Sequence, residues 1–401
     1  VQLTIDTGLQ NFVQARLAGE SAASVVLDVA TGEIHALASS PSFDPNKFVR
    51  GISSADYKAL LDDPFRPLAN KAVQGAYPPG STIKMVVAIA ALEAGVIGPE
   101  ETVFCPGHYE LGNRRFHCWK RAGHGKVDVH KAIEQSCDVY FYEVAQRTGI
   151  DRINAVARRF GLGIEFALPL SGIAHGVMPS REWKLRTYKR DWQIGDTLNA
   201  GIGQGYVLST PLQLAVMAAR IASGRAVTPR LVRAVDGVEE PAPEMPDLGF
   251  SADALGRIRQ AMEAVVNGRR GTARRSRVVI EEMRIAGKTG TSQVRNITAE
   301  ERRRGVIRNE DLPWNRRDHA LFVAYGPVDA PRFATSVVVE HGGGGSKAAA
   351  PIARDVLLRA LYGTLPPLTA YPAHQRKEVA ARFEAMELLS PADLGPGSSK
   401  A

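Results

Sequence analysis

The octapeptide Tyr77-Pro78-Pro79-Gly80-Ser81-Thr82-Ile83-Lys84 sets a hydroxyl and an amine three residues apart, just after residues that stop the chain. Pro and Gly punctuate, and the run from Thr82 to Ala94 is apolar and helix-forming, so Ser81 should open a helix. Residues three apart share a helical face, which makes Ser81 and Lys84 candidate hydrogen-bond neighbours. A serine hydroxyl becomes a nucleophile once a base takes its proton, and a neutral lysine can be that base. Burial and the positive end of a helix dipole both disfavour the ammonium form of Lys84. The tetrapeptide alone also fits an ordinary N-cap followed by a surface lysine, so its partners must decide.

Two further elements follow in order. Ser136-Cys137-Asp138 falls inside a helical pattern running from Val129 to Thr148. Ser136 could relay a proton between Lys84 and a leaving amine, while the Asp138 carboxylate favours a charged Lys84. Gly287-Lys288-Thr289-Gly290-Thr291 follows Met283 to Ala286, where a strand is expected. Small glycines beside Lys and Thr let a substrate backbone approach and pair along a strand edge. Lys288 could then bind a terminal carboxylate, with the hydroxyl of Thr289 or Thr291 alongside. None of the nine histidines sits in a recognisable Ser-His-Asp context, and no Gly-x-Ser-x-Gly elbow occurs.

All three cysteines fall between Cys105 and Cys137. With Cys118 and His124 they offer a Cys₃His set, the donors a closed structural zinc site prefers. On a helix, Cys137 would point away from Ser136 and Asp138, so a metal would brace that helix from behind and take no part in the chemistry. The alternatives are a Cys105–Cys118 disulfide with Cys137 free, or three unlinked thiols. His108, His117 and His130 are spare candidates nearby.

The elements that must position these groups follow from periodicity. Ala23–Val29 and Glu33–Ala38 read as one hairpin, and His319–Tyr325 and Arg332–Val339 as another. Helical patterns cover Val1–Leu17, Thr82–Ala94, Val129–Thr148, Thr210–Ala222, Ala252–Val266 and Ala348–Tyr362. Strands near both ends with helices between them indicate one antiparallel sheet and an inserted helical lobe. Trp192, Tyr206, Trp314 and Tyr325 could line a groove or simply fill the core. The basic stretches Arg269–Arg277 and Glu301–Arg317 read as exposed loops, the second able to meet an anionic glycan precursor or lipid headgroup. The 44% hydrophobic and 23% charged composition suits a globular protein. The net charge of +8 suits an acidic partner, although a solvated basic surface explains it as well. No stretch has the roughly 18 apolar residues of a membrane span, and the first 15 residues lack the pattern of a signal peptide. The chain therefore reads as a soluble piece.

YPPGSTIK, SCDVYFYEVA, GDTLNAGIGQGYVLSTPLQLA and AGKTGTSQV resemble the transpeptidase domain of class B penicillin-binding proteins. Within that family the lead-in ASSPSFDPNKFVRGISSADYKALLDDPFRPLANKAVQG is similar to the elongation enzymes of rod-shaped bacteria. The similarity runs from about Val1 to Leu361. It implies an α/β protein of the α+β type with the penicillin-binding protein/serine β-lactamase-like fold: a five-stranded antiparallel sheet flanked by helices, plus an all-helical lobe. Residues 1–20 would lead in from a pedestal and membrane anchor preceding Val1, 21–365 would form the transpeptidase domain, and 366–401 a partly disordered tail. The implied activity is periplasmic D,D-transpeptidation on D-Ala-D-Ala stem peptides through an acyl-enzyme at Ser81. β-Lactams would acylate the same serine, and its oxyanion would lie between the backbone amides of Ser81 and Thr291. Implied partners are a RodA-type SEDS glycosyltransferase and other elongation-complex proteins, with no nucleic acid. Asp138 stands where the family usually has Asn. Some members bind zinc at matching positions, and an oxidising compartment favours a protected use of the thiols. A D,D-carboxypeptidase, a penicillin-sensing receptor and a zinc-stabilised binding scaffold remain alternatives.

Overall fold

Two hairpins distant in sequence build the sheet in the computed structural model, which describes residues 1–390. Strands Ala22–Asp28 (β1) and Ile34–Ser40 (β2) pair first, then Ala286–Ser292 (β3), His319–Gly326 (β4) and Phe333–Val339 (β5) complete an antiparallel sheet ordered β3-β4-β5-β1-β2. The join is β5 on β1, with Val339 opposite Ala22 and Phe333 opposite Asp28. Burial follows position. Central β5 is buried on both faces and reads as an unbroken FATSVVV, whereas edge strand β2 alternates buried and half-buried residues. Each fully buried Val, Leu or Phe in these strands contributes about 1.5–3 kcal/mol.

Helix Thr7–Arg16 (α1) buries Leu9, Phe12 and Val13 and packs on β2, so part of the 1–20 stretch is built into the core. The inserted lobe contains Lys84–Glu93 (α2), Val129–Glu134 (α3), Asp138–Thr148 (α4), Ile150–Arg159 (α5) and Ile194–Gly201 (α6). Helix α2 is buried from Lys84 through Ala91, as an all-round apolar sequence requires, and packs on α4 and α5. Pro211–Ser223 (α7) lies on β5, β1 and β4, while Ala252–Asn267 (α8) joins β3 to the lobe through α3 and α2. Ala349–Tyr362 (α9) covers β4 and β5.

Beyond residue 365, Arg376–Glu384 (α10) brings Phe383 against Phe12 and Tyr371 (ring centroids 5.9 and 6.1 Å), and Leu389 pairs with the Asn11 side chain. The remainder of the expected tail, 391–401, lies outside the described residues. The basic stretches contain short turns of helix at Arg274–Ser276, Ala299–Arg304, Asn309–Asp311 and Trp314–Arg316. No helix among the described residues is long and apolar enough to cross a membrane.

Candidate active site

The chain turns at Pro78-Pro79 into a 3₁₀ segment, Gly80–Ile83, that runs directly into α2. Gly80 has φ of +53°, and a Cβ there would lie 2.5 Å from the Thr291 carbonyl oxygen. Its N–H donates to the Gly203 carbonyl at 2.9 Å, and a Cβ on Gly290 would lie 2.8 Å from Thr82 Cγ2. Glycines therefore let the nucleophile turn, the Gly203 loop and strand β3 meet backbone to backbone. The turn is anchored from behind as well. Tyr77 bridges to Ser209 through both backbone groups, and its hydroxyl donates to buried Glu340 at 2.8 Å. Glu340 also accepts from Ser21 Oγ (2.5 Å) and from the Arg66 guanidinium.

Ser81 is partly exposed, and its Oγ has no hydrogen-bond partner among the described residues. The expected Ser81–Lys84 bond is not formed. Lys84 Nζ, fully buried, instead donates to Asp138 Oδ1 (2.7 Å), the Ser136 carbonyl (3.0 Å) and Ser136 Oγ (3.2 Å). The opposite charge of Asp138 and two further acceptors outcompete a single neutral hydroxyl. Lys288 departs from its expected role in the same direction. It is fully buried, and its Nζ donates to Ser136 Oγ (2.9 Å) and the Thr289 carbonyl (3.0 Å), so it does not stand open to a terminal carboxylate. Burial, and then the neighbouring charge of Lys84, push the Lys288 amine well below the usual lysine range, with Asp138 opposing them. Ser136 Oγ thus joins two lysines. Thr289 Oγ1 is tied to Thr272 Oγ1 at 2.8 Å, leaving Thr291 as the exposed hydroxyl on a strand paired on one side only.

The helix expected over Val129–Thr148 is broken at Ser136, which has φ of +55°. The Cys137 N–H donates to the Ala132 carbonyl and the Ser136 N–H to the Ile133 carbonyl, a Schellman ending with serine where glycine is usual. That turn frees the Ser136 carbonyl, which accepts from both Lys84 and Trp119 Nε1 (3.0 Å). Asp138 then opens α4, and its second oxygen accepts the Trp119 backbone N–H at 2.9 Å. An asparagine could accept only one of those two bonds, which gives this carboxylate a physical reason. Trp119 belongs to no motif, and it meets the site through both its backbone N–H, on Asp138, and its indole N–H, on the Gln135 and Ser136 carbonyls. Glu340 likewise shows no motif.

Cys105, Cys118, His124 and Cys137 are all buried, with their donor atoms within 4.8 Å of one another. None of the cysteines is in a disulfide, so the Cys105–Cys118 bridge is not formed. His124 Nδ1 faces Cys118 Sγ (3.5 Å) and Cys105 Sγ (3.6 Å). Hydrogen bonding from the Cys137 thiol draws the Cys118 thiol down, while the reciprocal bond to Cys118 and burial push Cys137 up, and burial pushes Cys105 up. A cation bound among these donors would displace the thiol protons and turn the buried cluster into a set of thiolate and imidazole ligands. The residues fit a tetrahedral metal. His108, His117 and His130 lie outside the cluster. Of the four aromatics considered for a groove, Tyr325 is buried in the sheet and Trp314 packs against Phe65 and, edge-on, against His341, while Trp192 and Tyr206 lie beside Lys184.

Residues 22–358 match the penicillin binding protein transpeptidase domain family. The chain is 41% identical over 394 residues to the peptidoglycan D,D-transpeptidase MrdA of Haemophilus influenzae, across 96% of this chain and 60% of that protein. It is 40% identical over 371 residues to the protein of the same name from Escherichia coli K12, across 90% and 58%. The chain thus spans about three fifths of the length of these curated relatives. Among solved structures, Pseudomonas aeruginosa PBP2 in complex with WCK 5153 superposes with a TM-score of 0.80 at 41% identity, covering 92% of this chain and 81% of that one. Helicobacter pylori PBP2 in complex with MreC gives 0.80 at 33%, covering 90% and 64%.

Proposed function

The chain belongs to the penicillin binding protein transpeptidase domain family, and from that premise we propose that it is the acyl-transferring part of an elongation-type peptidoglycan D,D-transpeptidase. The observation that carries the assignment is Ser136 Oγ standing between Lys84 Nζ and Lys288 Nζ, beside the turn that presents Ser81. Ser81 Oγ attacks the carbonyl of the D-Ala-D-Ala bond, and its proton passes to the lysine pair. Lys288, whose amine burial pushes down, supplies the proton-accepting capacity, and Ser136 Oγ connects it to Lys84. The tetrahedral oxyanion is held by the backbone N–H groups of Ser81 and Thr291. The C–N bond then breaks, Ser136 returns a proton to the departing D-Ala amine, and an acyl-enzyme ester remains. An amine of a neighbouring stem attacks that ester, forms the cross-link and releases Ser81. The stem peptide lies extended along the unpaired edge of β3, with its carboxylate near Thr291.

Cys105, Cys118, His124 and Cys137 hold a structural zinc, a reading supported by their donor set and crowding. Zinc supplies bracing and no step of the reaction. Cys118 adjoins Trp119, whose N–H holds Asp138, and Cys137 adjoins both Ser136 and Asp138, so the site fixes both sides of the catalytic turn. The domain works on the periplasmic side of the inner membrane and is acylated by β-lactams, a reading the family resemblance supports. Its partners are a RodA-type glycosyltransferase and other elongation-complex proteins, a reading supported by the Helicobacter pylori relative solved with MreC.

Mass spectrometry of the protein after exposure to penicillin tests the assignment. One adduct on a peptide containing Ser81, lost in Ser81→Ala, is expected. A wild-type protein with no adduct there refutes it.

A further inference from the structure

Glu340 follows β5 directly, and its carboxylate is buried where three distant chain segments meet. Its backbone N–H donates to the Ser21 carbonyl at 2.7 Å, which carries the β5–β1 pairing one residue further. One carboxylate oxygen accepts from Ser21 Oγ at 2.5 Å. The other accepts from the Tyr77 hydroxyl at 2.8 Å and from the Arg66 guanidinium, whose side chain is largely exposed. Burying a carboxylate is unfavourable, and apolar side chains of the same volume would hold three segments together with less desolvation. What apolar packing would not fix is the place of one hydroxyl.

That hydroxyl belongs to the residue from which the nucleophile turn departs. Tyr77 is bridged to Ser209 through both backbone groups, and its ring meets His319 edge-on with centroids 5.5 Å apart. A Cβ on Gly75 would lie 2.4 Å from the Tyr77 hydroxyl, so the ring is closely seated. The stretch after β5 also reaches β3. A Cβ on Gly345 would lie 2.4 Å from the Gly290 carbonyl oxygen and 2.3 Å from that of Leu321, so its backbone rests on the strand beside Thr291. Residues 340–345 therefore touch both sides of the site, the Ser81 turn through Tyr77 and the Thr291 strand through Gly290.

We propose that Glu340 is a positioning residue for acyl transfer: through the Tyr77 hydroxyl it holds the turn that presents Ser81 at the spacing from Thr291 that stabilising the oxyanion requires. The inference rests on the acyl-transfer reading and adds to it a residue that neither touches substrate nor exchanges a proton. Loss of one oxyanion donor slows such reactions by about 10²–10³-fold, and a misplacement of about 1 Å has an effect of similar order. A turn loosened at Tyr77 but still held by Ser209 and Gly203 forfeits part of that factor.

The test follows acylation by a fluorescent penicillin over a range of concentrations, which separates the dissociation constant of the noncovalent complex from the acylation rate constant. Tyr77→Phe and Ser21→Ala each remove one hydroxyl from the same carboxylate, but only the first frees the turn. Tyr77→Phe should lower the rate constant about tenfold with the dissociation constant within about twofold, while Ser21→Ala leaves both within about twofold. Glu340→Ala should slow acylation at least as far as Tyr77→Phe. Glu340→Gln should recover most of the loss, because a carboxamide oxygen still accepts from Tyr77 while its NH₂ donates to Ser21 Oγ. Equal slowing in Tyr77→Phe and Ser21→Ala marks the cluster as structural and overturns the role. A Tyr77→Phe rate constant within about twofold of wild type overturns it too, as does a loss confined to the dissociation constant. If Glu340→Ala fails to fold, the Tyr77→Phe and Ser21→Ala pair decides alone. A wild-type protein that forms no adduct at Ser81 defeats the acyl-transfer reading and this role with it, whereas the variant patterns above defeat the role only.

Discussion

Replacing Ser136 separates its hydroxyl from its backbone. In Ser136→Ala, Lys84 keeps Asp138 Oδ1 and the Ser136 carbonyl, but Lys288 is left with the Thr289 carbonyl alone. One lost buried hydrogen bond to Lys288 costs about 1–2 kcal/mol of stability. The catalytic cost is larger. Loss of a positioned proton-transfer group lowers acylation by about 10²–10⁴-fold, equivalent to about 3–5 kcal/mol of barrier. Ser136→Gly removes the same hydroxyl, yet it relieves a non-glycine residue at φ of +55°, worth about 1 kcal/mol. The glycine variant should therefore melt higher than the alanine variant while acylating just as slowly. Stopped-flow acylation by a fluorescent penicillin, alongside thermal unfolding, reads both quantities. If the alanine variant acylates within about threefold of wild type, or the glycine variant recovers the rate along with the stability, the relay is refuted.

Other consequences are open to equally direct measurement. Because burial lowers the Lys288 amine in the folded protein, the unfolded chain binds the extra proton between that depressed value and 10.5. Stability contributed by this site should rise with pH across that window, and Lys288→Met should remove the rise in unfolding free energy measured by denaturant titration at stepped pH. Gly290→Ala drives a methyl to 2.8 Å from Thr82 Cγ2 and 3.0 Å from the Pro79 carbonyl oxygen. It should cost about 1–3 kcal/mol and slow acylation by displacing the nucleophile turn, both visible in the assays above. Elemental analysis should find one zinc per chain. Stripping it with a chelator should lower the melting temperature and the acylation rate together, and readdition should restore both.

The candidate catalytic side chains were legible because each belongs to a short pattern with its own chemical logic. Ser81, Lys84 and Lys288 announce themselves beside Pro, Gly and Thr, and the two hairpins announce themselves by apolar runs. Their contacts were less legible. Which neighbour Lys84 chooses depends on Asp138 and Ser136 arriving from another helix, information no spacing within the octapeptide carries. The break at Ser136 was hidden because serine rarely takes the position glycine fills at a helix end, and VHKAIEQSCDVYFYEVAQRT keeps its helical period across it. Trp119 was invisible for a different reason: one of its contacts is a backbone N–H, which has no residue type, and its indole meets backbone carbonyls that no pattern marks.

The pairing of β5 with β1 ties residues more than 300 positions apart (Val338 to Ala23, Val339 to Ala22) and sets the order in which the molecule can mature. A sheet closed by so distant a contact forms slowly, because the loop must be closed before the pairing rewards it. The first hairpin waits with an open edge until Phe333–Val339 has been made. Ser81 waits with it, since the turn that presents it is docked on Thr291. A nascent chain would carry Ser81 and Lys84 with nothing to aim them, so any reactivity of that serine is withheld until the distant strands have been made.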